Sequence, residues 1–270
     1  MFKFTSSNAR LFNLLAGVTF FLALVLNGLA NLLPINGLET GVISDMYENY
    51  FAPSGFTFSI WAVIYSLLTV YVFWRLSNLQ KSEDHPKNRF LYRIDIAFTI
   101  TNLANALWIL SWHYLSFTLS LVWMLVILLS LVYIQFQFKG DHDITTVPFR
   151  IYFGWITVAT VANITTLIVA DANAFRWLWN GGEVSEQLLT MVILLVTIII
   201  GNVTIIRQKD GYYGAVIVWS LLGIFVRHRI NLPDFGITGV ANMALFGMIL
   251  SILTTLFILR KKISKFLIKS

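Results

Sequence analysis

The chain has 270 residues, 57% of them hydrophobic and 12% charged, with a net charge of +6 and a mean hydropathy of +0.75. A water-soluble domain this apolar could not cover its surface with polar groups, so the composition points to an integral membrane protein. The absence of cysteine excludes disulfides, thiolate catalysis and cysteine metal sites.

A helix needs roughly 20 apolar residues to cross the hydrocarbon core. Eight such segments follow one another: Leu11–Leu33, Phe56–Leu76, Ile94–Trp112, Phe117–Phe138, Phe149–Ala170, Leu188–Ile206, Tyr212–Val226 and Ile237–Leu259. The first has a basic start, Lys3 and Arg10, but it is too long for a signal-peptide core and lacks a small-residue cleavage site, so it reads as a retained span. The seventh is the weakest, because Arg227, His228 and Arg229 cut it short. Spanning strands would be shorter and alternating. The expected fold is therefore an all-α membrane bundle of about eight helices.

With the N-terminus in the cytoplasm, all of the nineteen Lys and Arg residues except Arg176, Arg227 and Arg229 fall inside. This bias predicts both termini cytoplasmic, in a membrane such as the bacterial inner membrane. The net positive charge then faces anionic lipid, and no nucleic acid is needed to explain it. The longest connections are Pro34–Gly55, Ser77–Arg93 and Asp171–Gln187. The first is polar and acidic, ends in Tyr47, Tyr50, Phe51 and Pro53, and reads as either a plain external loop or a lid over the second span. The third, with Trp177, Trp179, Gly181 and Gly182, sets off the last three spans. No repeat of 20–50 residues is visible.

Polar residues inside spans are the places to look for function. In the third span Asp95, Thr99, Asn102 and Ala106 share one helical face, with Asn105, Trp108 and Trp112 beside it. In the fifth, Trp155, Ala159 and Asn163 are spaced four apart, as are Trp61 and Tyr65 in the second and Asn27 and Asn31 in the first. Asn27, Asn31, Asn202 and Asn242 read as helix–helix hydrogen bonds. Asn105 and Asn163, each on or beside a tryptophan stripe, fit a cavity with aromatic walls and a few fixed polar groups. Asp95 is expected to pair with Arg93 or Arg89. No phosphate-binding loop, nucleophile elbow or zinc-protease motif is present, and His85, His113, His142 and His228 lack metal-ligand spacing. No catalytic residues or metal ligands are assigned, and enzymatic activity is not the leading expectation.

Three stretches resemble one family. Phe51-Ala-Pro-Ser-Gly-Phe-Thr-Phe-Ser-Ile-Trp61-Ala-Val-Ile-Tyr65 is similar to the loop and second helix of the TspO/MBR family, the tryptophan-rich sensory proteins and mitochondrial translocator protein. Asn102-Leu-Ala-Asn105-Ala-Leu-Trp108 resembles its third helix, and Tyr152-Phe-Gly-Trp155-Ile-Thr-Val-Ala159-Thr-Val-Ala-Asn163 its fifth. Ser54, Gly55 and Phe56 replace the family's second proline and upstream tryptophan, and Leu167 stands where a tryptophan follows the fifth-helix asparagine. The resemblance covers about residues 11–171. It implies a five-helix core over 1–171, with three further helices and a basic tail over 172–270.

It also implies a pocket among the five helices for a porphyrin, haem precursor or sterol-like molecule, lined by Pro53, Trp61, Tyr65, Asn105, Trp108, Trp155, Ala159 and Asn163. No cofactor is required, although a bound tetrapyrrole would fit such a pocket. The expected partners are the lipid bilayer and a small hydrophobic ligand, with room for a homodimer. Besides a receptor or translocator, two readings stay open: a gradient-driven transporter coupling through Asp95 and Arg227, and a tetrapyrrole-degrading enzyme using its tryptophans.

Overall fold

The computed structural model describes residues 6–33, 35–78, 86–138, 144–175, 183–231 and 238–267. Among these there is no strand. The helices are α1 (Ser6–Leu32), α2 (Thr40–Met46), α3 (Ile60–Ser77), α4 (Pro86–His113), α5 (Phe117–Gln137), α6 (Val147–Ala170), α7 (Glu183–Gln208), α8 (Gly211–Val226) and α9 (Thr238–Leu267), with short 3₁₀ turns before α2, α3 and α6. All but α2 are long and apolar enough to cross a membrane, eight spans in all. The seventh is not cut short at Arg227. Its helix runs on through a π turn, Arg227–Asn231, so that the span reaches Ile230. The charged side chains there are held by neighbours, as described below. The segment Trp177–Gly182, Lys3, His85 and His142 lie outside the described residues.

The chain forms two compact units. The first holds Met1–Ile43 and Trp61–Tyr152, the second Ser44–Ile60 and Phe153–Ser270.

In the first unit α4 lies between α1 and α5. It is among the least apolar of the spans and the most enclosed, with 72% of its apolar window buried. The reason is the solvent. Asp95, Thr99, Thr101, Asn102 and Asn105 turn inward to find partners, while Ile100, Leu103 and Leu107 face out. Asn102 donates to the Ala16 carbonyl (3.3 Å) and to Thr19 Oγ1 (3.4 Å), tying α4 to α1. The tight corner from α4 to α5 ends in paired bonds, Leu115 N to Trp112 O (3.0 Å) and Ser116 N to Ser111 O (2.9 Å), with Leu115 at φ +55°. That is the left-handed stop usually given to glycine.

In the second unit α9 packs on both α7 and α8. Small residues allow this closeness. A Cβ on Gly247 would run into Ile198 of α7 and come within 3.2 Å of Leu221 of α8. Asn202 of α7 donates to Ser251 of α9 (3.1 Å). The α7–α8 corner is built like the earlier one. Lys209 sits at φ +52°, Asp210 N bonds back to Ile205 O (3.3 Å), and the Asp210 carboxylate caps α8 through Tyr212 N (3.0 Å) and Tyr213 N (3.2 Å).

Candidate functional site

The expected site residues divide between the two units: Trp61, Tyr65, Asn105 and Trp108 in the first, Pro53, Trp155, Ala159 and Asn163 in the second.

In the first unit the four residues come together. Helical spacing places Trp61 and Tyr65 one turn apart on α3, where their rings stack at 5.3 Å and 17°. Trp61 also meets Trp108 of α4 (6.1 Å) and the edge of Tyr152 at the start of α6 (5.8 Å). Trp108 stacks on Trp112 one turn further along (6.1 Å). Asn105 is the polar hub of this group. Its Oδ1 accepts from Asn27 Nδ2 (2.7 Å) and from the Tyr65 hydroxyl (3.3 Å), and its Nδ2 donates to the Tyr152 hydroxyl (3.1 Å). Both acceptor sites of the amide oxygen are thereby used, while one of its two N–H groups remains. Trp108 Nε1–H has no acceptor among the described residues, although the side chain is only 7% exposed. The cluster is thus an aromatic wall whose unspent polar capacity is donor in character.

Besides Trp112, Tyr152 and Asn27 belong to this cluster without having been among the expected site residues. Tyr152 opens the third resembling stretch but carries no signal by itself, since a tyrosine near a span end is usually an interface anchor. Asn27 is a helix–helix hydrogen bond, as its spacing suggests, yet its partner is the hub.

At the other end of α4, Asp95 is fully buried and makes a two-pronged pair with Arg75 of α3: Nη2 to Oδ2 at 2.8 Å and Nε to Oδ1 at 3.3 Å. This corrects the expected pairing with Arg93 or Arg89. Residues two apart on a helix point to different faces, so Arg93 cannot reach the inward carboxylate, and the side chain of Arg89 lies outside the described residues.

The loop before α3 is fastened along its length. Its first part is held in the first unit by the end of α4. Asn36 Nδ2 donates to His113 O (3.1 Å), Trp112 Nε1 to Thr40 O (3.3 Å), and the His113 ring contacts Thr40 Oγ1 (3.0 Å) and Ile35 O (3.2 Å).

Its second part is held in the second unit. His228 Nε2 donates to Tyr50 O (2.9 Å), Arg227 pairs with Asp45 (3.4 Å), Ser54 N donates to Gly223 O (3.0 Å), and Trp219 Nε1 to Thr57 O (3.0 Å). Gly223 is required here, since a Cβ would collide with Thr57 and come within 3.0 Å of Pro53. Pro53 is buried, and Phe56 meets the Trp219 ring edge-on (5.2 Å). Trp155 of α6 is buried with the Phe58 ring edge-on against it (5.9 Å). Ala159 is half-buried and Asn163 buried on the turns that follow. Asp95 and Arg227, the expected coupling residues of a transporter, are therefore each engaged in an ion pair.

A family model described as TSPO-like protein matches residues 13–257. No curated protein and no solved structure matches the chain. The matched region runs from α1 into α9, taking in six of the eight spans whole and most of the first and the last. With that match and these spans, the chain is an integral membrane protein and belongs to the TSPO-like family.

Proposed function

We propose that this protein is a membrane receptor or translocator for a flat hydrophobic ligand that bears hydrogen-bond acceptors, of the porphyrin, haem-precursor or sterol-like kind. The reading is supported first by the buried Trp108 Nε1–H, which finds no acceptor among the described residues. A buried donor left unsatisfied costs about 1–3 kcal/mol, so it calls for a partner. The Trp61, Tyr65 and Trp108 rings beside it offer the stacking surface that a flat ligand needs. The ligand's apolar body would lie against these rings, and its carbonyl or carboxylate oxygen would accept from Trp108.

Protoporphyrin IX titrated into the detergent-purified protein, read by tryptophan fluorescence, tests this. Saturable quenching is expected in the wild type. Trp108→Phe keeps a ring but removes the N–H, and should weaken binding by about five-fold, the worth of one hydrogen bond. Linear, unsaturable quenching in the wild type would remove tetrapyrrole as the ligand. Equal affinity in Trp108→Phe would remove the assigned donor. Ala159→Phe adds bulk to the α6 face that the family resemblance assigns to binding. Weaker binding in that variant, at unchanged thermal stability, would give α6 a part in recognition.

A further inference from the structure

On the first unit, α4 and α5 enclose a groove of about 380 Å³ lined by Arg93, Ile96, Ala97, Ile100, Leu129, Ser130 and Tyr133. That volume lies within the range of small-molecule sites, about 300–1,000 Å³. The groove is separate from the tryptophan cluster, and its architecture follows from helical spacing. Arg93, Ala97 and Ile100 form one row on α4, and Leu129 and Tyr133 one row on α5. Ala97 is buried and makes the floor, whereas Ile100, Leu129 and Tyr133 stand exposed as walls. Arg93 is exposed, and no carboxylate among the described residues pairs with it: Asp95, two residues on, is taken by Arg75. Arg93 stands three residues inside the span that begins at Phe90, about 4.5 Å along the helix axis. From that depth a long side chain lifts its charge to headgroup level while its stem lies along apolar surface.

We infer that this groove is a binding site for one anionic phospholipid, with the phosphate on Arg93 and an acyl chain over Ala97 between Ile100 and Leu129. Charge complementarity selects the occupant. A guanidinium at headgroup depth with no carboxylate partner among the described residues, in a groove that Tyr133 and Ser130 also line, suits a phosphate, and the rest of the lining is hydrocarbon. A sterol has no anion to offer Arg93.

Native mass spectrometry of the full-length protein, released from detergent after addition of dioleoylphosphatidylglycerol or dioleoylphosphatidylcholine, tests the site. The wild type should retain the anionic lipid in preference to the zwitterionic one. Arg93→Gln lies on the surface and should leave folding intact, yet lower phosphatidylglycerol occupancy by about five-fold at sub-saturating lipid. Ala97→Phe fills the floor and should lower retention as well. Lys261→Gln, a basic change at the far end of the chain, should not. Equal retention of the two lipids, or an Arg93→Gln protein that holds phosphatidylglycerol as well as the wild type, would overturn the assignment. A dimer in the wild type that becomes a monomer in Ala97→Phe would also overturn it, because the groove would then be occupied by a second copy.

Discussion

Among the described residues Asp95 has one charged partner, Arg75, and the two are buried together. In an environment without water an ion pair persists only if its hydrogen bonds are made, and the two-pronged Arg75 geometry supplies them. Removing one member is expected to cost more than removing both. Arg75→Gln leaves a buried carboxylate alone and should destabilise the protein by about 3–5 kcal/mol, whereas the double change Arg75→Leu with Asp95→Leu should recover most of that. Thermal unfolding in detergent, followed by circular dichroism, checks the order. A double variant less stable than Arg75→Gln would contradict it. The presence of Asp95 on a polar face was legible in the sequence. Its partner was not, because Arg75 and Asp95 are twenty residues apart on different helices and meet only in the folded chain. Asn105 shows the same divide. The spacing to Trp108 marked it for attention, but the three side chains that engage its amide come from α1, α3 and α6.

At the scale of elements, the corners carry the fold's local precision. Lys209 and Leu115 occupy left-handed positions that cost a non-glycine residue roughly 1–2 kcal/mol. Lys209→Gly should therefore raise stability by about 1 kcal/mol, seen as a higher midpoint in detergent melting; a lower midpoint would mean that the lysine side chain contributes more than the strain costs. Asp210→Ala should lower stability by about 1 kcal/mol, since Tyr212 N and Tyr213 N lose their cap. The two effects are opposite in sign at adjacent positions, which guards against a general response to mutation at this corner. The cap was in principle readable, an aspartate directly before an apolar helix, but the apolar run suggests only where α8 lies and not that it begins at a buried carboxylate. The π turn after α8 was hidden for a related reason. Arg227 and Arg229 look like the end of a span, and it takes Asp45 and Asn242 to hold their charged groups there.

For the whole molecule, the last three spans are more than an appendage, since within the second unit α8 holds residues 54–57 of the loop through Gly223 and Trp219. A chain ending at residue 171 should lose protection from hydrogen exchange at residues 50–58, while α4 and α5 stay protected. Unchanged protection of the loop in the truncated chain would show that these anchors are dispensable. Much of this protein was determined by its amino-acid sequence alone. Composition sets the solvent, the lengths of the apolar runs set eight spans, and hydrocarbon permits those spans only one backbone conformation, because every N–H and C=O must be paired within its own helix. Three short stretches with tryptophan and asparagine at helical spacing pointed to the family, which the match over residues 13–257 carries from α1 into α9. What only the tertiary structure decided is which inward polar groups meet: Arg75 with Asp95, Asn27 with Asn105, His228 with the Tyr50 carbonyl. Helical periodicity places a side chain on a face. The partner that satisfies it arrives on another helix, and lipid, having no hydrogen bonds to offer, makes finding that partner the condition for being buried at all.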